Sequence, residues 1–118
     1  PELAVIDVSF ISLTQVLPAV RNLLAPGGEV IALVKPQFEA GRALVGRGGV
    51  VRDPAVHRAV LLRLTEWCRQ AGWQVLGACP SPLPGGDGNR EFFLHLVVGE
   101  QRQAFLDPAA ILAACDLA

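Results

Sequence analysis

The sequence predicts an α/β layer fold built on a mostly parallel sheet that ends in an antiparallel strand. Short, nearly all-apolar runs alternate with segments of helical periodicity along the 118 residues, which favours parallel strands with helices between them. The last two apolar runs are joined by a turn-rich segment without a helix, which favours a closing hairpin. We therefore expect four strands, of which only the last opposes the others.

The first strand and the first helix are predicted near the start of the chain. Residues 3–7 form a short apolar run, as expected for a strand that is covered on both faces. Ser12 followed by Gln15 fits a capping box, and the apolar residues after it keep to one face of a helix. Pro18 conflicts with a regular helix, so we expect a kink or a later start.

A second buried strand is predicted over residues 30–34, which are rich in β-branched side chains. Residues 36–51 then form a long loop, and loops of this length inside a compact domain are usually functional or mobile. Asp53 and Pro54 form a good helix start, because an acidic N-cap precedes a proline at the first helical position. Gly72 marks the end of that helix.

The second helix has a buried stripe of five residues: Val56, Val60, Leu64, Trp67 and Cys68. His57 is expected on the helix surface. Residues 73–81 and 91–98 read as the third and fourth strands, and Asp107-Pro108 starts a last short helix. Neither His57 nor His95 has metal-ligand spacing, so no metal site is predicted.

The composition indicates a folded globular segment with no overall charge signature. Hydrophobic residues make up 52%, charged residues 18%, and the net charge is −1, so any nucleic-acid binding depends on a local patch. The three cysteines form no CxxC pair, which suits a reducing cytosol better than a disulfide framework or a zinc site. The sequence has neither an apolar stretch long enough for a membrane span nor a signal peptide. We expect a soluble cytoplasmic protein.

Three polar residues are predicted to meet at one edge of the sheet. Asp7 closes the first strand and Lys35 closes the second, and ligands of open α/β sheets bind outside the carboxyl ends of parallel strands. Glu91 begins the last strand, and if that strand is antiparallel its start faces the same edge. The three side chains could then share a cleft.

Lys35 is the single lysine among nine arginines, and this choice has a chemical reason. Desolvation and a second cation can lower the pKa of a lysine towards neutrality, which makes it a competent general base for an alcohol proton. Arginine does not deprotonate in proteins and could not replace it. The structural alternatives are a solvated edge charge for Lys35, a helix cap for Asp7 and a structural carboxylate for Glu91.

Four segments carry a resemblance to a known family. They are "VIDVSFISL" (5–13), "LVKPQFEAGR" (33–42), "GGVVRDPAVH" (48–57) and "GNREFFLHL" (88–96). Together they resemble the TlyA, or hemolysin A, family of ribose 2′-O-methyltransferases, which depend on S-adenosyl-L-methionine and have an FtsJ-like catalytic domain. The resemblance covers residues 3–98 and implies a Rossmann-like methyltransferase fold.

The resemblance implies a Lys-Asp-Lys-Glu catalytic tetrad. Its aspartate, second lysine and glutamate fall on Asp7, Lys35 and Glu91. The hypothesis is that Lys35 takes the proton of a ribose 2′-hydroxyl in ribosomal RNA, with cytidine as the family's target. The implied cofactor contacts are Asp7, Ser9 and Phe10, and the implied RNA contacts are Arg42, Arg47, Arg52 and Asn89.

The family's first lysine, its glycine-rich cofactor loop and its small RNA-binding domain lie upstream and have no counterpart here. We therefore expect residues 1–98 to be the C-terminal part of the methyltransferase domain, followed by a tail, 99–118, with a short helix. Two alternative functions are left open by the sequence. One is a non-catalytic RNA-binding module with the same fold. The other is a membrane-active hemolysin, which the lack of a spanning segment and of a cationic amphipathic helix argues against.

Overall fold

The computed structural model describes residues 3–8, 11–41, 49–83, 88–99 and 105–118. The elements in these ranges are β1 (Leu3–Ile6), α1 (Leu13–Leu23), β2 (Glu29–Val34), α2 (Pro36–Glu39), α3 (Pro54–Gln70), β3 (Trp73–Pro80), β4 (Phe92–Val98) and α4 (Pro108–Ala114). Strands and helices follow the predicted order with one addition. The helical turn α2 lies where a loop was predicted, because Pro36 fixes a helical φ at its first position and accepts a hydrogen bond of 2.8 Å from the amide of Ala40.

The four strands form one mixed sheet in the order β1-β2-β4-β3. β1 lies parallel to β2, whereas β4 lies antiparallel to both β2 and β3. Three strands therefore point in one direction and β4 opposes them, which confirms the predicted antiparallel final strand. The carboxyl ends of β1, β2 and β3 and the amino end of β4 lie along one edge of the sheet, called the site edge below.

The prediction that the first strand is covered on both faces is wrong. Leu3 is 56% exposed and Val5 is 72% exposed, and Ile6 is the buried residue of β1. Within the described residues β1 pairs with β2 alone, so it forms an edge of the sheet. An apolar run indicates a strand but does not reveal which neighbours cover it.

The buried face of the sheet packs against α1, α3 and α4. Side chains of β2 alternate strictly between half-buried and buried positions, as the pleat of a strand requires. The buried positions join helix residues in a common core, whose largest members include Leu13, Leu17, Leu61, Leu64, Phe92, Leu94, Leu96 and Ile111. The helices thereby cover the buried side chains of the sheet.

Helix α1 begins at Leu13, so the expectation of a later start is wrong. Ser12 is the N-cap, and its side chain accepts a hydrogen bond of 3.1 Å from the amide of Thr14. The helix continues through Pro18 to Leu23, although this proline removes one backbone donor. The buried side chains of Leu13 and Leu17 compensate by packing in the core.

Helix α3 begins and ends as predicted. The Asp53 side chain accepts a hydrogen bond of 2.9 Å from the amide of Ala55, and Gly72 follows the helix with φ +91°, in the left-handed region that favours glycine. The predicted stripe faces the core, with Val60, Leu64 and Cys68 buried and Val56 and Trp67 half-buried. Burial raises the pKa of the Cys68 thiol to about 12, with a smaller contribution from the Glu39 carboxylate.

The tail 99–118 contains the predicted short helix, which is packed. Asp107 caps α4 by accepting a hydrogen bond of 2.8 Å from Ala110, and Ile111, Cys115 and Leu117 join the core. The amide of Leu106 donates to the carbonyl of Val75 in β3 over 2.7 Å. The tail therefore packs on the same core as the strands, while the predicted domain boundary at residue 98 stays a prediction.

Candidate active site

Lys35 lies at the end of β2, directly before helix α2. Its backbone is extended, with φ −112° and ψ 98°, as predicted for a residue that precedes proline. Its Nζ lies 2.5 Å from Oδ1 of Asp7, which follows the neighbouring strand β1. The Lys35 side chain is 14% exposed and that of Asp7 is 60% exposed, so the amine is largely withdrawn from water while its partner is open to it. The structure thus joins two of the three residues predicted to share a cleft.

Glu91 immediately precedes β4 and is 6% exposed. Val34 pairs with Phe92 across β2 and β4, so continuing the register by one residue sets Glu91 opposite Lys35 at the site edge. Gln37 Nε2 donates a hydrogen bond of 2.9 Å to Glu91 Oε2. The third predicted residue is therefore held at the same edge by the helix that follows Lys35.

Two side chains of α2 have roles here that the sequence pattern does not single out. Gln37 holds Glu91, and Gln37 Oε1 is buried with no partner among the described residues. Glu39 is 8% exposed and accepts hydrogen bonds from the start of α1. The one signal that could have revealed Glu39 is a carboxylate placed directly between the apolar residues Phe38 and Ala40.

Asn89 is 2% exposed and holds the segment 49–51 by both atoms of its amide. Its Oδ1 accepts a hydrogen bond of 2.8 Å from the amide of Val51, and its Nδ2 donates one of 2.9 Å to the carbonyl of Gly49. In this geometry the side chain is not accessible to a ligand. An RNA contact by Asn89 stays a prediction, and the role that these contacts support is to position the neighbouring segment.

His57 is 2% exposed, so the expectation that it lies on the helix surface is wrong. It precedes Val60 by three residues, which puts it on the same side of α3, and its ring packs edge-on against Phe92 at 5.7 Å between centroids. Nε2 lies 3.0 Å from the carbonyl of Val51, which can only accept, so Nε2 carries the proton.

The second ring nitrogen of His57, Nδ1, is buried with no partner among the described residues. Burial lowers the pKa of His57 below its usual 6.5, and the charge of Arg90 acts in the same direction. The hydrogen bond to the Val51 carbonyl and the charge of Asp53 oppose these effects. The ring therefore favours its neutral form and braces the segment that Asn89 also holds.

Arg52 follows this braced segment and is exposed to solvent. The other predicted contacts, Ser9, Phe10, Arg42 and Arg47, lie outside the described residues. Of the predicted RNA contacts that the structure describes, Arg52 is thus the accessible cation.

A cavity of about 310 Å³ lies far from these residues, between α3, β3 and α4. Trp73 and Gly99 in its wall mark the amino end of β3, which is the edge opposite the site edge. Its lining includes none of the predicted site residues.

In the described ranges, no group of three or more His, Cys, Asp or Glu residues could hold a metal ion. None of the described helices is both long enough and apolar enough to cross a membrane.

The fold and the site together define an α/β protein whose polar groups gather at the carboxyl ends of its parallel strands, as in nucleotide-binding and cofactor-binding enzymes. The chain belongs to the FtsJ-like methyltransferase family, which matches residues 1–97.

Bacterial relatives carry names that agree with this family. YqxC of Bacillus subtilis, which is named as an rRNA methyltransferase, is 57% identical over 96 residues, or 81% of this chain and 34% of its own length. The Mycobacterium tuberculosis 16S/23S rRNA (cytidine-2′-O)-methyltransferase TlyA is 45% identical over 95 residues, or 80% of this chain and 35% of its own. The chain thus spans about a third of the length of these relatives.

A solved structure shows the same fold. A protein from Streptococcus thermophilus, whose title names it a hemolysin, superposes with a TM-score of 0.88 at 46% sequence identity. The match covers 97% of this chain and 41% of that one.

Proposed function

We propose that this chain is part of the catalytic domain of an S-adenosyl-L-methionine-dependent enzyme that methylates a ribose 2′-hydroxyl in ribosomal RNA. The observation that carries the proposal is the 2.5 Å pair of Lys35 and Asp7 at the site edge, with buried Glu91 opposite it. The names of the mycobacterial and Campylobacter jejuni relatives support cytidine as the nucleotide. Residues 1–98 are the later part of the methyltransferase domain and 99–118 its tail.

Lys35 is the general base. In its neutral form the amine accepts the proton of the 2′-hydroxyl, so the proton moves to Nζ and the ribose oxygen becomes the nucleophile. Asp7 stabilises the ammonium group that results, because opposite charges at 2.5 Å attract strongly where water is partly excluded. Arginine in place of Lys35 would keep the charge but could not accept the proton.

Glu91 contributes a second carboxylate on the other side of Lys35. Because Glu91 is 6% exposed, its charge requires hydrogen bonds, and Gln37 donates one of them. A carboxylate fixed in this way orients the amine and helps to stabilise the ammonium group that forms when the proton is taken up. Asp7 and Glu91 therefore act by positioning and electrostatics, which can supply much of the acceleration in a transfer reaction.

S-adenosyl-L-methionine supplies the activated methyl group when it is bound. Asp7 fits this cofactor, because its exposed carboxylate can face a positively charged ligand while it holds Lys35. Ser9 and Phe10, outside the described residues, complete the proposed contacts with a hydroxyl group and an aromatic face.

The RNA partner is held through its phosphates by Arg52, Arg42 and Arg47. Arg52 supports this proposal because it is exposed and follows a segment that Asn89 and His57 hold in place. Contacts to phosphate position RNA without reading its sequence, and they weaken as salt increases. The proposed compartment is the cytoplasm, because ribosomes are found there and its reducing conditions keep cysteines such as the three of this chain free.

The test compares Lys35→Ala and Lys35→Arg with the wild type in the full-length protein. Loss of a general base lowers the rate of methyl transfer by about 10²–10⁴-fold, and Lys35→Arg should be as impaired as Lys35→Ala, although it retains the positive charge. The measurement is transfer of a radiolabelled methyl group to ribosomal subunits at saturating cofactor.

Arg69→Ala provides the control, since this exposed cation pairs with Glu66 on α3 and belongs to no proposed contact. Near wild-type transfer by Lys35→Arg would exclude Lys35 as the base. RNA binding that is unaffected by cofactor, with no transfer by the wild type, would indicate the non-catalytic RNA-binding module instead.

A further inference from the structure

Glu39 ends the short helix α2, and its carboxylate is bonded to the start of another helix. Oε1 accepts a hydrogen bond of 2.6 Å from the Ser12 hydroxyl, and Oε2 accepts one of 2.8 Å from the amide of Leu13. These residues are the N-cap and the first residue of α1. The capping box predicted from Gln15 is thus replaced by a carboxylate from 26 residues further along the chain.

Lys35 and Glu39 are four residues apart and stand one helical turn from each other. The amide of Glu39 donates to the carbonyl of Lys35 over 3.2 Å, which fixes their spacing. Lys35 binds Asp7, whereas Glu39 binds Ser12 and Leu13. Lys35 before α2 therefore binds the residue that follows β1, and Glu39 at the end of α2 binds the start of α1.

The buried carboxylate of Glu39 is compensated at this position. Two donors meet its two oxygens, and the amino end of a helix is electrostatically favourable for a negative charge. The Arg63 guanidinium of α3 donates to the backbone carbonyl of Glu39, so the end of α2 is fixed from a third element. A side chain held this firmly can transmit its position to what it binds.

We propose that Glu39 is a positioning residue of the methyltransferase site, which fixes the start of α1 relative to the Lys35–Asp7 pair and so governs cofactor affinity. The proposal rests on the function above, in which Asp7 and its following residues contact S-adenosyl-L-methionine. Glu39 touches neither the cofactor nor the RNA. It acts through Ser12 and Leu13. Its loss should therefore weaken cofactor binding more than RNA binding.

The test is Glu39→Gln in the full-length protein. The amide keeps the shape of the side chain but removes the negative charge and presents its NH2 group to one of the two donors. We expect the dissociation constant for S-adenosyl-L-methionine, measured by calorimetry, to rise about tenfold, as loss of a charge-assisted hydrogen bond implies. RNA affinity should change less than twofold. Glu39→Asp keeps the charge and shortens the reach by one methylene, so it separates the effect of charge from that of position.

Glu66→Gln is the matched control, because this glutamate is exposed on α3 and accepts hydrogen bonds from Arg69 and Gln70, which belong to no proposed contact. An unchanged cofactor affinity in Glu39→Gln, with the protein folded, would overturn the proposal. So would a parallel loss of cofactor binding, RNA binding and thermal stability, which a purely structural role predicts.

Amide hydrogen exchange distinguishes a failure of this inference from a failure of the proposed function. If the wild type binds no S-adenosyl-L-methionine, the proposed function is wrong. The hold of Glu39 on Ser12 and Leu13, called the clamp here, is still tested by exchange at the Leu13 and Thr14 amides. Faster exchange there in Glu39→Gln, with the carboxyl-terminal half of α1 unchanged, supports the clamp. Identical exchange in both proteins refutes it.

Discussion

Gln37 donates a hydrogen bond of 2.9 Å to the carboxylate of Glu91, which lies 54 residues further along the chain. The donor belongs to α2 and the acceptor immediately precedes β4, so the bond crosses the site edge between two elements that sequence reasoning treated separately. It also accounts for the burial of Glu91, since a carboxylate that is 6% exposed needs a donor.

Replacing Gln37 by Met should therefore impair catalysis through Glu91. Methionine has a similar length but no donor, and leaving a buried charged group without this bond costs about 1.5–3 kcal/mol. We expect kcat for methyl transfer to fall by tenfold or more while the KM for cofactor changes little. The comparison is with Gln70→Met, at an exposed glutamine of α3. Equal rates for the two variants would show that the bond to Glu91 does not serve the reaction.

Replacing Asn89 by Ala should loosen the segment 49–51. The change removes one acceptor and one donor, and it leaves the buried Val51 amide unsatisfied, which costs about 1–3 kcal/mol of unfolding free energy. Denaturation in urea measures this loss, with Asn22→Ala on the exposed surface of α1 as the control. RNA affinity should also decrease, because Arg52 follows the loosened segment. A destabilised variant with full RNA affinity would separate Arg52 from RNA binding.

Acid should destabilise the protein partly through His57. Burial lowers the pKa of His57 in the folded chain below the value of 6.5 that it has when unfolded. Below about pH 6.5 the unfolded chain therefore binds more protons than the folded one, so stability falls as pH falls towards the folded pKa. A protonated Nδ1 would also be a buried donor without a described acceptor.

The measurement is the free energy of unfolding in urea at pH 7.5 and at pH 5.5, for the wild type and His57→Gln. Glutamine cannot titrate, so the variant should lose part of the wild type's decrease between these two conditions. His95→Gln, at a half-buried histidine that contacts Glu29, should retain the His57 contribution. An identical pH dependence in His57→Gln and the wild type would contradict the assignment to His57.

The meeting of Asp7 and Lys35 could be predicted from the sequence, because it depends only on strand order and direction. Both residues end apolar runs, and the carboxyl ends of parallel strands share an edge whatever the side chains do. The position of Glu91 at this edge follows from the same reasoning, because the start of an antiparallel strand lies beside the ends of its parallel neighbours. Helix N-caps such as Asp53 can also be predicted from the sequence, since a cap depends on neighbouring residues alone.

The positions that escaped prediction depend on long-range contacts. His57 was assigned to the surface because it is polar, yet its ring packs on Phe92, 35 residues later. Val5 was assigned to the interior because it is apolar, yet β1 has one described neighbour. Glu39 reaches a helix that is distant in sequence, and periodicity carries no information about such a partner.

The strand order has a consequence for synthesis. Among the described strands β4 is synthesised last, yet it lies between β2 and β3, which pair with β4 and not with each other. A nascent chain that ends before residue 91 therefore exposes two unpaired strand edges, the kind of surface on which partly made proteins aggregate. Lys35 can face Glu91 only after β4 has been inserted between β2 and β3. The proposed site is therefore incomplete until β4 has been synthesised.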